Sequence, residues 1–274
     1  MTDPVAAFDR SAHPLLFVTL SLDIGGTERH IAAIAPALAR IGWPVTVFCF
    51  NSLGTHAAAV AAAGVEVVGP PLAARLSHTS KAVRLAYLPF AAARLAKVIV
   101  RRRPRVAHFF LAEAYIAGAP LARLLGVSKL VMSRRSLNLY QANFPGAGAI
   151  ERRLHRRMTA ILANSRAILA ELEQQEGCSR VRLGLIYNGV AGAVTETGRP
   201  RAETRRALGL ADDTFVAITV ANLNPYKGHA DLIAALGLIK GRMPQPWTLL
   251  VIGADLGIRA ALEAAPPAHC ATFS

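Results

Sequence analysis

Acidic residues are scarce in this chain of 274 residues: 17 Asp and Glu stand against 31 Lys and Arg, a formal net charge of +14. So basic a balance disfavours cationic partners and favours phosphates, anionic lipid or nucleic acid, without choosing among them; an arginine-rich compositional bias is the plainer alternative. Cysteine is rarer still. Cys49, Cys178 and Cys270 are odd in number, far apart and without C-x-x-C spacing, which excludes a disulfide scaffold or a cysteine zinc site and leaves three reduced thiols. Long apolar runs are missing too: the best candidates are broken by Arg84, Arg94 and Lys97, or by His108 and Glu113, well before the ~18 residues a membrane span requires. Met1 to Pro14 carries Asp3, Asp9 and Arg10 and has no apolar core, so it does not read as a secretory signal, and the expected location is the cytoplasm.

What remains is a composition 53% hydrophobic and 18% charged, that of a globular protein able to bury a large core. Leu15 to Leu20 predicts a strand, Ser21 to Gly26 a glycine-bearing loop, and Thr27 to Ile41 a helix with Ile31, Ile34, Ala35 and Leu38 at helical spacing. The pattern recurs through strands at 45–50, 65–69, 106–110, 130–133, 160–163 and 183–187, with helical segments before them. Connections this short between buried strands imply right-handed crossovers and a parallel sheet. The fold class is therefore α/β, with residues 1–190 forming one doubly wound domain. Residues 191–200, rich in Gly, Thr and Pro, read as a linker. A second series follows: a helix at 201–208, a strand at 215–221, a helix at 227–240 and a strand at 247–253. With no further strand expected, this second domain over 201–274 falls short of the ~100 residues usual for an independent α/β domain.

Two loops at strand ends carry candidate chemistry. Gly25 and Gly26 sit where the first strand meets the first helix, so backbone N–H groups and a helix N-terminus can approach a phosphate. Their spacing is not G-x-G-x-x-G, and no acidic residue closes the second strand, which argues against a nicotinamide dehydrogenase. Asn222 to His229 forms the second such loop, placing Lys227 and Gly228 at a helix start where a fixed charge can neutralise a diphosphate. His108, in the strand VAHFF, and Arg134, Arg135 and Asn138, after the strand at 130–133, are candidates for an acceptor or cleft site; a hydrogen-bonded histidine and solvated arginines are the structural alternatives.

Lys227-Gly228-His229 followed by Asp231-Leu232-Ile233-Ala234-Ala235-Leu236 resembles the KGH-x-x-L-I-x-A signature of family 4 glycosyltransferases. The Gly-Gly loop, Leu162-Ala163-Asn164-Ser165, and Ile186-Tyr187-Asn188-Gly189-Val190 agree with that family in order. The resemblance covers nearly the whole chain. It implies a GT-B fold of two Rossmann-like domains facing across a cleft, the C-terminal one holding a nucleotide-sugar donor and the N-terminal one a carbohydrate or lipid-linked acceptor. It implies retention of anomeric configuration, no metal and no cofactor. By it Lys227 contacts the donor diphosphate with Gly228 beside it, and Gly25 and Gly26 line the cleft. The family's arginine five residues before the lysine is Asn222 here, one positive charge fewer.

The E-x7-E pair of the family is not matched by Asp255 and Glu263, so the second domain is expected to be incomplete, its apolar Leu249 and Val251 poorly covered, and the chain alone a weak transferase. No residue stands out as a nucleophile, and the catalytic group stays unassigned. The rival reading is a binding module for phosphorylated ligands; no nucleic-acid motif supports an RNA or DNA partner. The helix at 81–103, with Pro89 set against an uninterrupted run, and the segment Glu151 to Arg157 are basic and able to touch an anionic membrane from its inner face.

Overall fold

The computed structural model describes residues 9–70, 81–143, 146–189, 199–264 and 271–273. Cys270 and most of the expected linker, residues 191–198, lie outside the described residues. The chain divides into two compact units, Met1–Val190 and Ala191–Ser274.

The first unit is built on seven parallel strands: β1 (Leu15–Thr19), β2 (Val45–Cys49), β3 (Glu66–Val68), β4 (Val106–Phe110), β5 (Lys129–Arg134), β6 (Ala160–Ala163) and β7 (Leu183–Leu185). Their order is β3-β2-β1-β4-β5-β6-β7, and β1 pairs with both β2 and β4. Apolar runs with almost no alternation, such as LLFVT and VTVFC, suit strands covered on both faces. Side chains still alternate: Leu16 and Val18 pack into one core cluster and Phe17 into the other.

Helices α1 (Gly26–Arg40) and α2 (Ala57–Ala62) cover the Phe17 face through Ile31, Ala35 and Val60. Helices α3 (Lys81–Arg102), α4 (Ala112–Leu124), α5 (Ala147–His155) and α6 (Arg166–Gln174) cover the opposite face through residues such as Leu95, Tyr115, Leu154 and Leu172. The α3 helix runs through Pro89 without a break. Its neighbours Ala91, Leu95 and Ile99 are buried in the core, which favours the helix enough to offset one missing backbone hydrogen bond. Cys49 and Cys178 are free buried thiols, pushed up by burial to about 12 and about 11, and so inert at neutral pH.

The second unit contains α7 (Arg201–Ala207), β8 (Phe215–Val220), α8 (His229–Ile239), β9 (Trp247–Ile252), α9 (Arg259–Ala264) and β10 (Ala271–Phe273). Two expectations are corrected here. A third strand exists, because Ala271–Phe273 pairs in parallel with Leu249–Val251 to give the order β10-β9-β8. With β9 in the middle, Leu249 and Val251 are buried beside Leu223, Ile233 and Leu262, whereas Phe215, Ile218 and Val220 on β8 are exposed. No helix among the described residues is long and apolar enough to cross a membrane.

Candidate functional site

Strand order reverses between β1 and β4, and the crevice beyond the C-terminal strand ends at such a point is where open parallel sheets collect ligands. Both connections that leave this point are adapted. The N-cap of α1 is Gly25, which supplies no side-chain cap. The Glu28 carboxyl folds back on its own N–H, and the N–H groups of Gly26 and Thr27 are left for a ligand. Gly26 has open space where a Cβ would stand, whereas a Cβ on Gly25 would collide with the Glu28 carboxylate. The N-cap of α4 is Leu111 at φ 71 and ψ 147, a region other residues leave to glycine at a cost of about 1–3 kcal/mol.

Asp23 holds the glycine loop in place, a role that no motif in its segment announces. Its carboxylate accepts from the Ser52 hydroxyl at 3.1 Å and from the Thr55 N–H at 3.2 Å, tying the loop after β1 to the loop after β2.

A cavity of about 650 Å³ lies alongside α1, a size typical of small-ligand sites. The helix and its C-cap contribute His30, Ile34, Leu38, Arg40 and Ile41, the strands contribute His108 and Ser133, and the residues just past the strand ends contribute Arg135, Asn164 and Ile186. His108 is the third of the five residues of β4, further down the strand than its end. Its Nε2 is 2.8 Å from the Ser133 hydroxyl, and its ring stacks on Phe110 at 4.2 Å. Burial pushes His108 down to about 3, with His30 and Arg135 adding to the shift, so the imidazole is neutral at physiological pH. His30 is lowered as well, by burial and then by Arg135. Glu28 is raised, chiefly by burial and then by Asp23. The Asn164 Oδ1 is buried without a hydrogen-bond partner, an acceptor that a ligand hydroxyl can satisfy.

The two arginines at the end of β5 part company because successive strand side chains face opposite ways. Arg135 turns to the cavity and donates to the Asn188 Oδ1, which joins the β5 and β7 ends. Arg134 turns to the helices and does not reach the cavity. It is buried at 3% exposure, its Nη2 2.9 Å from Glu176 and 3.4 Å from Glu151. His155 joins Glu176 at 2.7 Å, and Tyr140 and Gln141 donate to Glu151. Burial works against ionisation of Glu176, but His155 and Arg134 outweigh it and hold the carboxyl below its usual range. Asn138 is likewise off the cavity: its N–H donates to Glu171 and its Nδ2 to Gln175, pinning the 138–143 turn onto α6.

In the second unit, β8 leads through Asn222 and a single 3-10 turn, Pro225–Lys227, into α8. Gly228, at φ 72, makes the left-handed link between the turn and the helix, which few other residues tolerate. Lys227 is exposed at that start, its Nζ 4.8 Å over the Tyr226 ring. The Asn222 Oδ1 accepts from the Ala254 N–H, leaving its Nδ2 to serve a ligand. His229 is buried with both ring nitrogens unpartnered. Gly253, at the end of β9, permits close approach of the two loops, since a Cβ there would collide with the Ala221 carbonyl.

The cavity is offered two cations, Arg40 and Arg135, two neutral imidazoles and an orphan amide oxygen. That suits a hydroxyl-rich or anionic ligand. Among the described residues no three His, Cys, Asp or Glu side chains converge as metal ligands.

No curated protein matches the sequence. Solved structures do. The HepE protein of Anabaena in complex with UDP and glucose superposes with a TM-score of 0.72 at 20% identity, over 95% of this chain and 68% of that one. Sucrose-phosphate synthase from Thermosynechococcus elongatus gives 0.74 at 17% identity, over 96% and 70%. The lipopolysaccharide outer core galactosyltransferase WaaB gives 0.58 at 16%, over 95% and 67%. These likenesses establish the GT-B fold. The family model described as Glycosyltransferase Family 4 matches residues 24–191, a span from the Gly-Gly loop through the Asn188 motif that takes in the cavity's strand residues, and the chain belongs to that family.

Proposed function

We propose that this protein transfers a sugar from a nucleotide-diphosphate sugar to an acceptor hydroxyl, with retention of anomeric configuration. The observation that carries the reading is the placement of Lys227: an exposed ammonium fixed by the Pro225–Lys227 turn at the start of α8, beside Asn222 and the buried, unpartnered His229. The UDP and glucose held by the structurally similar HepE support a uridine-type donor.

In the reaction the bond from the anomeric carbon to the diphosphate oxygen breaks and a new bond to the acceptor oxygen forms. The acceptor proton passes to the departing phosphate oxygen. Lys227 and the Asn222 Nδ2 stabilise the charge that develops on the diphosphate. The first unit supplies the acceptor side. Arg135 and the Asn164 Oδ1 orient a saccharide in the cavity, and the Gly26 and Thr27 N–H groups meet phosphate. The acceptor is a polysaccharide or a lipid-linked saccharide.

The test is calorimetric titration of the chain with UDP and UDP-glucose, followed by radiolabelled transfer to saccharide acceptors. Donor binding that depends on Lys227, together with transfer, supports the reading. Tight binding of phosphorylated ligands with no transfer to any acceptor points instead to a non-catalytic binding module.

A further inference from the structure

Helices α3 to α6 each run back along the sheet, so their C-termini gather at its N-terminal edge, opposite the candidate site. Three consecutive grooves lie along that edge. The first, about 430 Å³, is lined by Val100, Arg103, Arg105 and Leu125. The second, about 510 Å³, includes Arg123, Leu124 and Arg157. The third, about 1020 Å³, includes Arg152, Arg153, Arg156 and Arg182, and shares Arg157 with the second. Among the described residues no carboxylate pairs with Arg103, Arg105, Arg123, Arg152, Arg153, Arg156 or Arg157; Glu176, the one acid in the third groove, is buried against Arg134 and His155. Helix dipoles account for a cation or two at each C-terminus. They do not account for the aliphatic side chains set among the cations: Leu124 is 82% exposed, Val100 62% and Val181 91%.

We propose that this edge docks on an anionic lipid bilayer, the arginines meeting lipid phosphates while Leu124, Val100 and Val181 enter the boundary with the acyl chains. Exposed cations around protruding aliphatic groups are the chemistry of an interfacial contact. A single-stranded nucleic acid is served by aromatic stacking platforms, and no Phe, Tyr or Trp lines any of the three grooves. The apolar stripe of α3 takes no part, because Leu95 and Ile99 are buried in the core. Docked this way, the C-terminal edge of the sheet points away from the lipid by at least one five-residue strand, about 17 Å.

The inference does not rest on the transferase reading and is tested without a donor. The chain of 274 residues is sedimented with vesicles of phosphatidylcholine alone and with 30% phosphatidylglycerol. Each basic residue beside an anionic leaflet changes partitioning roughly fivefold. Binding is expected only to the anionic vesicles, to fall steeply with salt, and to drop on the order of a hundredfold or more in R152Q/R153Q/R156Q/R157Q. L124S should weaken it severalfold. R201Q/R206Q/K240Q/R242Q, which removes the same charge from exposed positions of the second unit, should bind nearly as the parent does. Circular dichroism confirms folding, and if the R152Q/R153Q/R156Q/R157Q variant does not fold, R103Q/R105Q/R123Q replaces it. Equal losses in the edge variant and the second-unit variant would overturn the assignment, as would binding to neutral vesicles. A preference for a 20-nucleotide oligomer over the anionic vesicles would give the edge to nucleic acid and overturn it too.

Discussion

The Nε2 of His108 and the Ser133 hydroxyl stand 2.8 Å apart on neighbouring strands, and the burial that comes with this contact keeps the imidazole neutral. The unfolded chain takes up this proton near 6.5, whereas the folded chain does so only at about 3. The folded value is depressed, so the associated stability is full above about pH 6.5 and is lost as pH falls from there. One proton gives a slope of at most about 1.4 kcal/mol per pH unit. Urea unfolding of H108Q between pH 7 and pH 5 should show a shallower decline than the parent, with His30, shifted in the same direction, keeping a share of the slope. Parallel curves would remove His108 from this role.

Arg134 and Arg135 should separate under mutation. Arg134→Gln leaves Glu151 and Glu176 buried without their cation, which costs about 3–5 kcal/mol. Arg135→Gln removes a cation from the rim of a cavity and should cost under about 1 kcal/mol while weakening acceptor binding. Chemical denaturation and acceptor titration of both variants measure the contrast, and equal destabilisation would contradict it.

Lys227→Ala should lower nucleotide-sugar affinity about ten- to a hundredfold, the equivalent of one hydrogen bond to a charged group at roughly 1.5–3 kcal/mol. The converse change, Asn222→Arg, adds a cation five residues before the lysine and should raise affinity severalfold, at the expense of the hydrogen bond from the Ala254 N–H. Calorimetry on folded variants reads both, and unchanged affinity in Lys227→Ala would take the residue out of the site.

Gly26→Val should fold with a melting temperature close to the parent's, because nothing lies within 4 Å of the added Cβ, apart from the helix cost of a β-branched residue of under ~1 kcal/mol. The side chain would instead stand where a ligand meets the α1 N-terminus. Gly25→Val, by contrast, displaces the Glu28 side chain. Loss of ligand binding at preserved stability in Gly26→Val supports the phosphate role of the loop; unaltered binding makes the loop purely structural.

Local pattern in the sequence reached the strands of both units to within a residue or two, since each strand and helix is written in nearest-neighbour chemistry: apolar runs such as VTVFC, helical spacing from Ile31 to Leu38, and glycines at the turns. It also placed the motif loops, whose ends must fall where strands stop. Ala271–Phe273 escaped because a three-residue strand has no period of its own and exists only by pairing with β9. That pairing put Leu249 and Val251 inside, while Phe215, Ile218 and Val220 on β8 stayed exposed. The site was decided in the same way. Arg134 and Arg135 read alike in sequence, but the pleat of β5 sends one into a buried ion network and the other to the cavity. Asp23 and Ser133 carry no signal of their own and acquire their roles from loops and strands distant in the chain, and Asn164, though inside a motif, becomes a cavity acceptor only through that packing. The sequence alone determined every strand but Ala271–Phe273 and their order along the chain; which side chains meet was settled by the tertiary structure, because burial and partnership are properties of neighbours that local pattern does not contain.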